Sequence, residues 1–367
     1  MRTCAIGLDA GEWSLIQSLI DAGDLPNLGR LAQNGVARFE NPTYRTGLVW
    51  QGFLADSAPP RNGVEFDTQS FGAFQVGALP VRPFFDSPRR RVIAIDLPLM
   101  SLAQVGNGTY VTAWGAHGAG YPRASKPSGV LTEIDSRFGP HPAFADDQCH
   151  WNDPSSVRDL RDRLIAGART RVEIFDWLTS RDPEWDLFIM ALSETHSAGE
   201  SFWHGVDPTH LLAGLPEAAA AKEALLDVYR TVDDTIGRIA QKLPADTALC
   251  VFSLHGIKQN TGDIPSSYLL PELLLRLETG NRLIQDPDQD EWRRSGFPAV
   301  VPAAGEWPPS ALRSFGSESP KRKAIRALKS VMPRPVQDQL RALRARGRSD
   351  GDAAFAYGHG VPDESPH

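Results

Sequence analysis

Cysteine is nearly absent: Cys4, Cys149 and Cys250 are the only three in 367 residues. An odd number without paired spacing argues against both a disulfide framework and a thiolate zinc site. Cys4 and Cys250 fall inside apolar, strand-like runs, so structural burial is expected of them. No stretch approaches about 18 uninterrupted apolar residues, which excludes a spanning helix. The first residues show neither a basic leader nor a small-residue cleavage site. A cytoplasmic protein with reduced thiols is therefore expected. Basic charge is not in excess either, and a net charge of -7 gives no reason to expect nucleic acid or a membrane as partner. Also missing are a phosphate-binding glycine loop, a dinucleotide fingerprint and a serine nucleophile elbow, which argues against nucleotide-cofactor enzymes.

What is present alternates between strands and helices. Cys4 to Leu8 is an apolar run, followed by helical spacing over 13–22 (Leu15, Ile16, Leu19, Ile20) and over 26–34. Arg91 to Leu97 and Asp186 to Leu192 read as buried parallel strands. Residues 155–180 follow helical rules, with apolar positions at Leu160, Leu164, Val172, Phe175 and Leu178. Ala218 to Lys242 carries the stripe Leu225, Val228, Val232, Ile236 and Ile239 before Pro244 stops it. The strand Ala248 to Ser253 follows at once. This order predicts an α/β fold, a three-layer α/β/α sandwich with a mostly parallel central sheet and sites at the carboxyl ends of its strands. We expect residues 1–316 to form that domain, with loop-rich insertions at about 36–88 and 101–150. Residues 317–367 read as a basic tail, partly helical or disordered, because 321–348 hold ten basic residues against one acid.

Three of the expected strand ends carry chemistry. Asp9 closes the first run, His255 follows the last, and Glu194 to His204 is dense in potential ligands. Taken singly, Asp9 fits a turn after a strand, His255 a strand-end histidine and Thr46 a loop threonine. Their joint order suggests a metal-dependent hydrolase. His204 and His210, and likewise His117, could assist as ligands or substrate contacts, but they are read as turn residues with solvent-facing imidazoles.

Gly7-Leu8-Asp9-Ala10-Gly11, Asp24 to Leu31, Pro42 to Thr46 with Trp50, Glu194 to Trp203, and Asp246 to Gly256 occur in this order. Through these residues the chain resembles the type I phosphodiesterase and nucleotide pyrophosphatase branch of the alkaline phosphatase superfamily. The resemblance implies an alkaline phosphatase-like fold and hydrolysis of a small-molecule phosphate ester. It implies a divalent metal, zinc or else manganese, as one or two ions. Thr46 then stands as nucleophile and ligand, with Asp9 and His255 on its ion and His196 and Glu200 on the second. A bare threonine hydroxyl is a poor nucleophile at neutral pH, and coordination stabilises its alkoxide. Sulfate esters are disfavoured, since Thr46-Gly47-Leu48-Val49 lacks the sulfatase pattern. Leu254 stands where the family has aspartate. His196-x-x-x-Glu200 replaces the more frequent Asp-x-x-x-His, and the distal histidine has only His359 as a candidate. Loss of the carboxylate at 254 motivates the alternative, a catalytically impaired descendant that binds a phosphorylated ligand or a protein partner.

Overall fold

The computed structural model describes residues 2–38, 46–55, 82–117, 123–144, 146, 147, 149, 154–210, 212–258 and 272–278, with isolated positions at 280, 282 and 290. These belong to the first of two compact units, Met1–Leu312. The expected tail, His359 within it, and most of the 36–88 insertion lie outside the described residues.

The chain runs β1 (Arg2–Leu8), α1 (Trp13–Asp21), α2 (Pro26–Gln33), α3 (Thr46–Ala55), β2 (Val92–Ile95), β3 (Gly108–Thr112), β4 (Ala124–Lys126) and α4 (Val130–Phe138). It continues through α5 (Pro154–Arg181), β5 (Leu187–Leu192), α6 (Glu194–Phe202), α7 (Ala218–Lys242) and β6 (Thr247–Phe252). The described strands form one sheet ordered β4-β3-β2-β5-β1-β6. All neighbours are parallel except β3 and β4. The carboxyl ends of β1, β2, β3, β5 and β6 therefore open on the same edge of the sheet.

The strands at the centre of the sheet are the continuous apolar runs. β2 and β5 are buried along their whole length, as strands covered on both faces must be. Side chains alternate between two cores. Ile6, Leu8, Ile93, Ile95, Phe188, Met190 and Leu192 face the helical layer built from α1, α2 and α4 to α7. Ala94, Tyr110, Ile189 and Ala191 face Trp50 and Leu54 of α3, together with Phe85, Leu97 and Met100. The stripe of α7 is buried as its periodicity requires, and each such aliphatic side chain contributes roughly 1.5–3 kcal/mol. α2 lacks a side-chain cap of its own at Leu25. Asp233 of α7 supplies one, accepting from Asn27 N at 3.1 Å and Leu28 N at 2.7 Å.

The structure departs from the sequence reading in three places. The 101–150 stretch, expected as loop, contains β3, β4 and α4. β3 is too short to show a sustained pattern, and β4 is a three-residue antiparallel edge. Helix α3 falls in the stretch expected to be irregular, since Thr-Gly-Leu-Val-Trp-Gln-Gly-Phe-Leu-Ala is apolar nearly all round and shows no polar face. Cys250, expected to be buried, is exposed, unlike Cys4 and Cys149. Its strand β6 is the edge of the sheet among the described residues and packs through alternate residues. Among the described residues no helix is long and apolar enough to cross a membrane.

Candidate functional site

Asp9 leaves β1 at its carboxyl end, and the next residue, Ala10, takes a left-handed backbone with φ of 53°. Asp96 after β2 and Ala113 after β3 do the same, at 57° each. Left-handed non-glycine residues are uncommon and cluster where a site constrains the chain. Only Asn, Asp and Gly adopt this conformation readily, so Ala10 and Ala113 carry the larger strain.

Asp9 is 2% exposed. Its Oδ1 accepts from Trp50 Nε1 at 2.8 Å and lies 3.3 Å from His255 Nε2, while Oδ2 lies 3.0 Å from His196 Nδ1. Trp50 reaches it across the sheet because Gly7 has no side chain: a Cβ there would stand 3.0 Å from the indole and 3.0 Å from the Phe252 ring. Thr195 Oγ1 donates to the Asp9 carbonyl at 2.6 Å and so ties β1 to the first turn of α6.

On α6, His196 and Glu200 are one turn apart and share a face. His196 Nε2 lies 3.5 Å from Glu200 Oε1. Burial alone would lower the His196 pKa, but the Asp9 charge and the hydrogen bonds to Asp9 and Glu200 outweigh it and raise the value to about 10. Burial likewise opposes ionisation of Asp9, yet His196, His255 and Trp50 together hold its carboxyl far below the usual range. Glu200 is also lowered against its burial, by the His196 hydrogen bond and then by the His117 charge.

The site residues expected from the sequence are thus assembled unevenly. Asp9, His196 and His255 form one group with ligand atoms within 4.8 Å of one another. Glu200 belongs to another, with His196 and His117. Thr46 opens α3, one turn before Trp50. Leu254 packs against the apolar cluster of α3 and the sheet.

Three histidines expected to be solvent-facing prove otherwise. His117, on the loop leaving β3, has Nε2 3.5 Å from Glu200 Oε2, and its ring centroid is 4.1 Å from that of His196. No spacing motif marks it, since it lies far from α6 in sequence. His204 and His210 are both buried. Desolvation lowers their pKa values to about 3 and about 4, the charge of His210 adding to the effect on His204. His204 Nε2 has no hydrogen-bond partner.

Beneath the site lies a second group that the sequence reading missed. Arg171 of α5 is fully buried; its Nε donates to Glu194 Oε1 at 2.7 Å and its Nη1 to Asp96 Oδ2 at 2.9 Å. Asp96 also accepts from the backbone N–H groups of Trp114 at 2.7 Å and Gly115 at 2.9 Å. Ala143 N donates to His141 Nδ1 at 3.1 Å, so the proton sits on Nε2 and points to Glu194 Oε1 at 3.1 Å. This network clamps the loop that carries His117 to the ends of β2 and β5.

The donor types brought together are ones that can hold a divalent cation. Imidazole nitrogens and carboxylate oxygens are common zinc ligands at about 2.0–2.2 Å, which puts neighbouring ligand atoms of a tetrahedral site about 3.3–3.5 Å apart. The separations of 3.3 and 3.5 Å between carboxylate oxygens and imidazole nitrogens meet that spacing.

Among curated proteins none matches the chain. Among solved structures it is similar to phosphonoacetate hydrolase from Sinorhizobium meliloti 1021 in complex with phosphonoformate, at 15% identity over 84% of this chain and 82% of that chain. The TM-score of 0.35 makes this likeness too loose to transfer the role of any residue. The sequence model described as type I phosphodiesterase / nucleotide pyrophosphatase matches residues 104–309, a span that includes His117, His196, Glu200 and His255 and excludes Asp9 and Thr46. With more than half of its length matched, the chain belongs to the type I phosphodiesterase / nucleotide pyrophosphatase family.

Proposed function

We propose that this protein hydrolyses a small-molecule phosphate ester with Thr46 as nucleophile and a divalent cation, zinc or manganese, held by residues of the Asp9, His196, Glu200 and His255 cluster. The observation that carries this reading is the convergence of those four side chains at the carboxyl ends of β1, β5 and β6. Helix α3, which Thr46 opens, is fastened to Asp9 through Trp50. A bound divalent ion supplies positive charge that favours an alkoxide nucleophile and polarises the phosphoryl oxygen.

The chain's own residues do the rest. The Thr46 oxygen attacks phosphorus, the bond to the ester oxygen breaks, and the departing alcohol takes up a proton. Water then attacks phosphorus of the phosphorylated Thr46, releasing phosphate from a monoester substrate or a phosphate monoester from a diester, and a proton from that water returns to the Thr46 oxygen. Trp50 and Thr195 hold Asp9 in place, on its side chain and its carbonyl respectively. The α/β domain spans 1–316, and the basic segment 317–367 follows it.

The test is turnover of bis-nitrophenyl and mono-nitrophenyl phosphate by the zinc- or manganese-loaded protein. Thr46→Ala is expected to lower kcat at least about 10³-fold, as loss of a nucleophile does, with the circular dichroism spectrum unchanged. Equal rates for the variant and the parent protein would refute the assignment.

One observation favours a second reading, a binding protein without turnover. Leu254 places an apolar side chain where a carboxylate would hold the Thr46 ion, and loss of one such ligand is expected to cost more than the roughly 10- to 100-fold of an outer-shell change. Metal content separates the two readings. Near-stoichiometric zinc or manganese after gel filtration supports the hydrolase, and its absence together with retained phosphate-ester binding supports the binder.

A further inference from the structure

The two imidazoles nearest Glu200 are held alike. His196 presents Nδ1 to Asp9 Oδ2 at 3.0 Å and Nε2 to Glu200 Oε1 at 3.5 Å. His117 presents Nδ1 to Asp147 Oδ2, in a short contact, and Nε2 to Glu200 Oε2 at 3.5 Å. Asp147 is fixed in turn by Ser197 Oγ, 3.0 Å away on the same helix as His196 and Glu200. A carboxylate on one ring nitrogen with the other ring nitrogen facing a shared point is the arrangement in which metal-binding histidines are held. His117 keeps 18% and Glu200 35% of its side chain exposed, so the group has an open side for water or substrate.

The other group competes less well for an ion. Asp9 Oδ1 already accepts from Trp50 Nε1, His196 turns Nδ1 to Asp9 Oδ2, and the neighbouring position 254 offers no carboxylate. The two groups also share His196, whose Nδ1 faces Asp9 and whose Nε2 faces Glu200. One ion is therefore favoured over two.

We infer that this protein holds a single zinc ion between His117 Nε2, His196 Nε2 and the Glu200 carboxylate, with Asp147 and Asp9 as the carboxylates that orient the two imidazoles. His117 then fills the role for which the sequence offered His359. The inference rests on the metal-dependent reading above and departs from it in naming His117 and in giving Asp9 an orienting role. Two imidazoles and one carboxylate with an open fourth position are a zinc set of catalytic type. Hydrolysis requires no change of metal oxidation state, which suits a redox-inert ion.

The experiment is zinc titration of the full-length protein, stripped with a chelator and followed by competition with a chromophoric zinc indicator. Cobalt(II) absorption serves as a second readout. The parent protein is expected to bind one equivalent and to give the intense visible bands of four-coordinate cobalt. His117→Ala should weaken zinc binding at least about 100-fold, and Asp147→Asn by about 10- to 100-fold. His359→Ala should leave binding unchanged. His117→Asp, which restores a ligand, should recover part of the affinity with altered cobalt bands. Far-UV circular dichroism of the stripped variants checks folding, and Asp147→Asn carries the test should His117→Ala not fold. Zinc binding by His117→Ala equal to that of the parent, or its loss in His359→Ala, would overturn the inference and leave the metal-dependent reading standing. A parent protein that takes up no divalent ion would refute both.

Discussion

Replacing Arg171 by methionine should destabilise the protein strongly and specifically through Glu194. The guanidinium is fully buried and lies 5.2 Å from the Trp114 ring centroid; it donates to Glu194 at 2.7 Å, Asp96 at 2.9 Å and Ser193 at 3.3 Å. In Arg171→Met, Asp96 keeps two backbone N–H donors, from Trp114 and Gly115. Glu194 keeps only His141 on Oε1, and its Oε2 already lacks a partner. An uncompensated buried carboxylate of this kind costs about 3–5 kcal/mol. In the parent protein burial opposes ionisation of Glu194, but the Arg171 charge and then His141 lower its pKa to about 2. A depressed carboxyl contributes stability above its unfolded pKa near 4.5, and that stability is lost as pH falls toward 2. Without Arg171 the sign reverses, because protonation relieves the stranded charge, so the deficit of the variant should shrink between pH 7 and pH 5. Urea unfolding followed by tryptophan fluorescence measures both effects. Glu194→Gln in the Arg171→Met background should recover about 1–3 kcal/mol as a coupling energy. An Arg171→Met variant within about 1 kcal/mol of the parent at pH 7, or a double variant whose losses simply add, would show that the pair is not what holds this network together.

The buried pair His204 and His210 sets a second acid response. Their folded pKa values of about 3 and about 4 lie below the ordinary 6.5, chiefly through desolvation. Stability is therefore complete above pH 6.5 and falls as the unfolded chain takes up protons that the folded chain refuses, by roughly 3 kcal/mol for each imidazole at pH 4. Thermal midpoints recorded from pH 7 to 4 should fall less steeply in His204→Leu, and a slope identical to that of the parent would count against it. Gly205→Ala should cost about 1–3 kcal/mol or more, since its Cβ would lie 2.2 Å from Lys222 N and 2.6 Å from Ala218 O, backbone atoms of α7 that cannot turn aside. Urea unfolding checks this too, and a neutral outcome would mean that the turn Trp203–Gly205 is free to shift.

Much of the architecture was legible because it is written in local patterns. The runs at β1, β2 and β5 and the stripes of α5 and α7 each announce one element, and the strand-helix alternation implies parallel neighbours. α3 was hidden by the opposite circumstance. Its residues lie against the apolar face made by Tyr110, Ile189 and Phe252, and a helix that is apolar nearly all round has no periodicity to read. β3 and β4 gain their stability from pairing with β2 and with each other, and so short an edge leaves no local trace.

The site divides along the same line. Asp9 and His255 could be singled out as candidates because each stands at the end of an apolar run, and His196 with Glu200 because four residues make one helical turn. His117 has no such mark. Its loop is brought to α6 by two non-local facts, the placement of β3 one strand beyond β2 and the hydrogen bonds that Trp114 N and Gly115 N donate to Asp96. Asp96 in turn is held by Arg171, from the middle of α5. A charged residue amid buried positions of a helix is the one trace of this arrangement in the sequence. Arg171 lies between Ala168 and Val172 on one side and Ile174 and Phe175 on the other, where a burial argument would demand an apolar side chain. A fully buried arginine must have found carboxylates. The carboxylates that can meet it are those that the strand ends deliver, so the arginine points to the sheet edge where the site is built.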